Sequence, residues 1–110
     1  MTIPQKKLLL YRALTGKAPF EEWLEDLKNR KARAVIRTRL DRVEQGNAGE
    51  CKAVGSGVYE LKIRFGPGYR VYFGEDGKIL VVLLLGGDKS TQDRDIKKAV
   101  EYWEDYKIRK

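Results

Sequence analysis

One stretch constrains this chain more than any other: Ile79–Leu85, ILVVLLL, seven apolar residues in a row. It falls well short of the roughly 18–20 residues that cross a bilayer. In a globular fold, a short run that is apolar at odd and even positions alike is a central strand covered on both faces. Such a strand demands sheet neighbours beside it and packed layers above and below. The preceding residues supply the neighbours. From residue 50 the period is two: Glu50–Val54, a Gly55-Ser56-Gly57 turn, Val58–Phe65, a Gly66-Pro67-Gly68 turn, Tyr69–Gly74, and Glu75-Asp76-Gly77 with its Asp-Gly turn signal. Gly86-Gly87-Asp88-Lys89 then reads as a break.

Helical patterns flank these strands and supply the layers. Residues 6–14 read as an N-terminal strand, with a helix as the alternative because the alternation is poor, and a loop follows. Pro19 suits the first position of a helix, Glu21 and Glu22 complement its dipole, and Phe20, Trp23, Leu24 and Leu27 recur at helical steps. A second helix over about 31–46 buries Ile36, Leu40 and Val43 and ends at Gly46-Asn47. The short connection predicts an antiparallel helical hairpin. Ser90 or Thr91 is expected to cap a final helix, with Asp93 at capping-box spacing from Ser90 and an apolar stripe of Ile96, Val100, Trp103 and Tyr106. The pattern predicts one α+β domain over residues 1–110. It has an N-terminal strand, a helical hairpin, an antiparallel meander of about four strands and a C-terminal helix.

Composition narrows the chemistry. There is no histidine and one cysteine, Cys51. That excludes Ser-His-Asp and Cys-His nucleophile systems, histidine- or cysteine-ligated zinc and an internal disulfide, so no metal or cofactor is expected. The N-terminal MTIPQKKLLLYRAL has too short an apolar stretch for a secretory leader, and a reduced cytoplasmic setting with no membrane partner is the expectation. Lys and Arg number 23 against 16 Asp and Glu, a net charge of +7. Such a surface attracts polyanions, nucleic acid first.

Alternation shows where that charge converges. Tyr59, Leu61, Ile63 and Phe65 point to the core, so Glu60, Lys62 and Arg64 point away. On the next strand Tyr69, Val71 and Phe73 face the core while Arg70 and Tyr72 face away. The Gly-Pro-Gly turn makes these strands neighbours. Glu60, Lys62, Arg64, Arg70 and Tyr72 are therefore expected on one half-solvated outer face, with Lys52 from the preceding strand and Lys89 from the end of the apolar one. Several cations around a single acid suggest a phosphate as the missing counter-ion. The second helix carries a further basic surface, including Arg30, Arg33 and Arg37, an electrostatic footprint for RNA.

Three segments carry a family resemblance: PFEEWLEDL with the basic helix after it, GVYELKIRFGPGYRVYF, and ILVVLLLGGDKSTQDRDIKKA. Together they resemble the RelE/ParE superfamily of type II toxins, most nearly its HigB-like "addiction module killer protein" branch, from Leu9 to Trp103. The resemblance implies a ribosome-dependent mRNA endoribonuclease that inhibits translation. It also implies silencing by a cognate antitoxin, a HigA-like helix-turn-helix protein through which alone operator DNA is contacted. By position it implies Lys62, Arg64, Arg70 and Lys89 as the cations at the scissile phosphate. Glu60 is the carboxylate set among them and the candidate base, with Glu50 second. Lys52, Tyr72, Arg30, Arg33 and Arg37 are the candidate RNA contacts. The chain departs from the RelE pattern in having Glu60 where many members have lysine, and no aromatic in the last helix before Tyr102. The alternative is a ParE-like DNA gyrase inhibitor without nuclease activity.

Overall fold

The computed structural model describes residues 5–110; residues 1–4, the start of the stretch read for a leader, lie outside it. In chain order the elements are β1 (Lys7–Leu10), α1 (Pro19–Asp26), α2 (Arg30–Glu44), β2 (Cys51–Gly55), β3 (Val58–Ile63), β4 (Tyr69–Asp76), β5 (Leu80–Asp88), a 3-10 turn (Lys89–Thr91) and α3 (Gln92–Arg109). The five strands form one sheet in the order β1-β5-β4-β3-β2. β1 pairs in parallel with β5 and every other pairing is antiparallel. This is the expected α+β arrangement. No helix among the described residues is long and apolar enough to cross a membrane.

The apolar run does what its composition requires. Val81 and Leu83 enter a core formed with α1 and α2, while Val82 and Leu84 enter a second core under α3. All four are almost wholly buried, and each such side chain stabilises the fold by about 1.5–3 kcal/mol. β5 is not the middle strand, however; β4 is. β4 is accordingly buried on both faces from Tyr69 to Gly74.

Other boundaries differ from expectation for local reasons. β1 ends at Leu10 instead of running to residue 14. After Tyr11 donates to Leu83 O, the chain turns, closed by Ala13 N–H to Lys17 O at 2.9 Å and Gly16 N–H to Ala13 O at 2.8 Å. β5 passes through Gly86 and Gly87, which pair with Val71 and Arg70. These glycines do not break the strand; they thin it. A Cβ on Gly86 would overlap the Trp23 ring from α1, and one on Gly87 would overlap the Asp95 carboxylate from α3. The two helices thus reach the same stretch of backbone from opposite sides.

Thr91 holds the N-cap position of the last helix but makes no side-chain cap bond there. The side-chain cap lies one turn earlier, on the 3-10 turn, where Asp88 accepts from Ser90 N–H at 2.8 Å and forms a capping box with Thr91. The 3-10 turn before α3 places Thr91 where its hydroxyl serves Asp88 and Asp95, so it makes no cap bond to α3 itself.

Gly86→Ala is expected to destabilise the protein by about 1–3 kcal/mol through overpacking against Trp23, read as a lower urea midpoint with an unchanged slope. Asp88 gives a pH signature. Hydrogen bonding, chiefly from the Ser90 hydroxyl, holds its carboxyl below the usual aspartate range. Its contribution is present above the unfolded-state pKa and is lost as pH falls through the lowered folded value. Asp88→Asn keeps a capping oxygen but cannot titrate there. The stability gap between wild type and this variant should therefore shrink on acidification from about pH 6 to about pH 3, measured as Tm against pH.

Candidate functional site

The register of the meander builds the site. Lys62 lies opposite Arg70, Glu60 opposite Tyr72, and Lys52 opposite Glu60. The period of two turns these side chains to the face away from the α1–α2 core. The first turn of α3 then descends over the same face. The face expected to be half-solvated is in large part enclosed: Glu60 is 2% exposed, Arg70 5% and Tyr72 0%.

What remains open is a pocket of about 250 Å³ lined by Glu50, Cys51, Lys52, Glu60, Lys62 and Arg70. Glu60 is its organising group. Its Oε2 accepts from Gln92 Nε2 at 2.8 Å and lies 3.6 Å from Arg70 Nε; its Oε1 lies 4.0 Å from the Lys52 ammonium. One oxygen is held and the other faces an exposed cation. Arg70 Nη1 donates to Gly68 O at 3.2 Å, while its enclosed Nε has no hydrogen-bond partner among the described residues. At the rim, Arg64 grips Glu50 through two bonds, both 2.8 Å. This pairing, led by the Arg64 hydrogen bond, holds the Glu50 carboxyl below its ordinary range and makes it a weaker base. Burial pushes the Cys51 thiol up, which disfavours the thiolate. Among the described residues no three His, Cys, Asp or Glu side chains converge to hold a metal ion.

The other sequence candidates fall into three groups. Lys62 and Arg64 adjoin each other in the shallower depressions beside the pocket. Lys89 is exposed on the 3-10 turn in a separate depression of about 380 Å³ with Gln92 and Arg94, so it does not line the pocket; Gln92 joins the two. Tyr72 is not an RNA contact: its ring belongs to the α3 core and its hydroxyl is enclosed. Burial first, then the Glu60 and Asp95 charges, raise that hydroxyl's pKa far above the tyrosine norm. On α2, Arg33 donates to Leu27 O at the end of α1 and so serves the fold, whereas Arg30 and Arg37 are exposed away from the pocket.

Gln92 and Asp95 escape the sequence reading. Asp95 is 6% exposed and receives the Thr91 hydroxyl beneath Gly87. The signal is there in retrospect: Gln92, Asp95, Ala99 and Trp103 follow the three- and four-residue steps of a buried face. Polar residues at its first two positions hide it.

This architecture has relatives. The family model "Phage derived protein Gp49-like (DUF891)" matches residues 22–104, from α1 through most of α3, and the chain belongs to that family. It is a RelE-like, addiction-module-killer-like family, toxin-like in character, and membership points to an antitoxin partner. An uncharacterized protein of Haemophilus influenzae (strain ATCC 51907 / DSM 11121 / KW20 / Rd) is 52% identical over 80 residues, 73% of this chain and 81% of that protein.

Burial changes what substitution at Arg70 should do. A half-exposed arginine is nearly dispensable for stability; this one neutralises an enclosed carboxylate. Arg70→Ala should destabilise the protein by about 3–5 kcal/mol, and Glu60→Gln combined with Arg70→Met should recover most of that loss in urea unfolding.

Proposed function

We propose that this protein is the toxin of a type II toxin-antitoxin system and a ribosome-dependent, metal-independent mRNA endoribonuclease of the HigB-like branch. It would act in the cytoplasm under control of a HigA-like helix-turn-helix antitoxin, which alone contacts operator DNA. One observation carries the reading: Lys52, Lys62 and Arg70 line the same pocket as Glu60, whose two carboxylate oxygens are differentiated.

That arrangement suits cleavage by the ribose 2′-OH. Glu60 Oε1 accepts the 2′ proton as that oxygen attacks phosphorus; Gln92 and Arg70 hold Oε2 and so fix the carboxylate's orientation. The P–O5′ bond breaks, leaving a 2′,3′-cyclic phosphate and a 5′-hydroxyl that takes its proton from Lys62. Arg70 and Lys52 offset the charge that develops on the phosphoryl oxygens. Arg64, tied to Glu50, braces the rim, and Lys89 stands outside the pocket as a more distant electrostatic contributor. Arg30 and Arg37, free of the fold-supporting role of Arg33, are left to dock on ribosomal RNA.

Lys62 gives the cleanest test because it is only half-buried and forms no ion pair among the described residues. Lys62→Ala should unfold at the wild-type urea midpoint yet cleave translated mRNA about 10²–10³ times more slowly, read by primer extension with and without ribosomes. Full toxicity in a folded Lys62→Ala protein would refute the site. Intact mRNA with accumulating double-strand DNA breaks would identify a gyrase inhibitor instead.

A further inference from the structure

Lys62 lines more than the candidate pocket. It borders three adjoining depressions: the pocket itself, a shallow one over Gly66-Pro67-Gly68, and a groove of about 350 Å³ between α2 and the end of β3. The groove has Val35, Arg39 and Arg42 on its helical side and Gly49, Glu50 and Arg64 on the other. It shares Glu50 and Lys62 with the pocket, so the two depressions adjoin at the end of β3.

The groove is built, not incidental. Arg39 donates to Ala48 O at 3.0 Å and to Lys62 O at 3.4 Å, tying α2 to the loop before β2 and to the backbone of β3. Gly49, at φ +66°, is the reason it reaches: a Cβ there would lie 2.7 Å from the Arg39 guanidinium. Helical geometry sorts the cations of α2. About the buried stripe Ala32, Ile36, Leu40 and Val43, residues 39 and 42 lie on the flank toward β3, and residues 30, 33 and 37 lie on the other. Arg42 is exposed and has no carboxylate partner among the described residues. Glu50, the groove's acid, is already satisfied by Arg64.

We propose that the α2–β3 groove, with Arg42 as its free cation and Lys62 as its junction with the pocket, holds the phosphodiester backbone of single-stranded RNA next to the phosphate bound in the pocket. The assignment rests on the nuclease reading for the phosphate in the pocket but not for the binding of the strand in the groove. A single strand fits better than a duplex because the pocket is lined from β2, β3 and β4 and the groove from α2 and the end of β3, so an occupant of both must turn at Lys62, as a flexible backbone can. Nucleic acid fits better than an acidic protein because the uncompensated cations, Arg42 in the groove and Lys62 shared with the pocket, lie in adjoining depressions, as neighbouring phosphates of one backbone require.

The test uses the full chain without ribosomes. Fluorescence anisotropy measures binding of oligouridylates of about three and about nine nucleotides, lengths that occupy the pocket alone and the pocket plus groove. Arg42→Gln should leave the short oligomer's affinity unchanged and weaken the long one by about fivefold. It should also lower the salt slope for the long oligomer by about 0.7, one phosphate contact. Lys78→Glu, at the β4–β5 turn on the opposite end of the sheet, controls for net charge and should leave both affinities near wild type. Equal effects of Arg42→Gln on both lengths, or on neither, would overturn the groove assignment. So would an equal loss in Lys78→Glu, which means diffuse charge. A polyglutamate peptide bound as tightly as RNA, with the same dependence on Arg42, would assign the groove to an acidic protein. Binding that follows the expected pattern in a protein that cuts no mRNA would overturn the nuclease reading and leave the groove standing.

Discussion

The structure depends on a sheet that has no open face where its strands are longest. β4 and β5 are sealed by α1 and α2 on one side and by α3 on the other. Both seals converge on Gly86 and Gly87, where the Trp23 ring and the Asp95 carboxylate approach one backbone from opposite directions. Side chains there would hold the layers apart. Because the layers close, the polar residues of β3 and β4 are drawn under α3, and a row of charges that would be solvated on an ordinary antiparallel face becomes a walled pocket.

Enclosure is what gives these residues chemical capacity. An exposed Glu60–Arg70 pair would contribute little and would move freely. Enclosed, the carboxylate is held by two partners and the guanidinium keeps one donor without a partner. Interactions in such a setting are stronger, and unmet ones are more costly. The Tyr72 hydroxyl and Arg70 Nε, enclosed without hydrogen-bond partners among the described residues, mark where the fold has given up stability around this group.

Much of this was legible in the sequence, and the rest was hidden for identifiable reasons. The short Gly-Pro-Gly turn and strict alternation determine that Lys62 meets Arg70 and that Glu60 shares their face, so those neighbours are readable locally. The strand lengths were harder. Gly86-Gly87 looks like a break because glycine weakens a strand by itself; its real role needs Trp23 and Asp95, which lie far away in sequence. Burial of Glu60, Arg70 and Tyr72 was invisible for the same reason. A polar row under a helix has the same alternation as a polar row facing water, and only the crossing of α3 distinguishes them. Arg33 looked like a surface cation until its carbonyl partner at the end of α1 was known.

α3 ties these features together. Its first turn supplies Gln92 to the pocket. Its last turns are pinned at the other end of the molecule, where the Tyr106 hydroxyl and the Lys110 ammonium both donate to Asp76, and Asp105 takes the hydroxyl of Tyr11. Eighteen residues of helix make a rod about 27 Å long. A rod clamped at both ends does not bend to suit one of them. The orientation of a single amide at the pocket is therefore tied through the rod to two tyrosine hydroxyl bonds and one ion pair at the opposite end of the helix, and the two corners of the molecule are ends of the same lever.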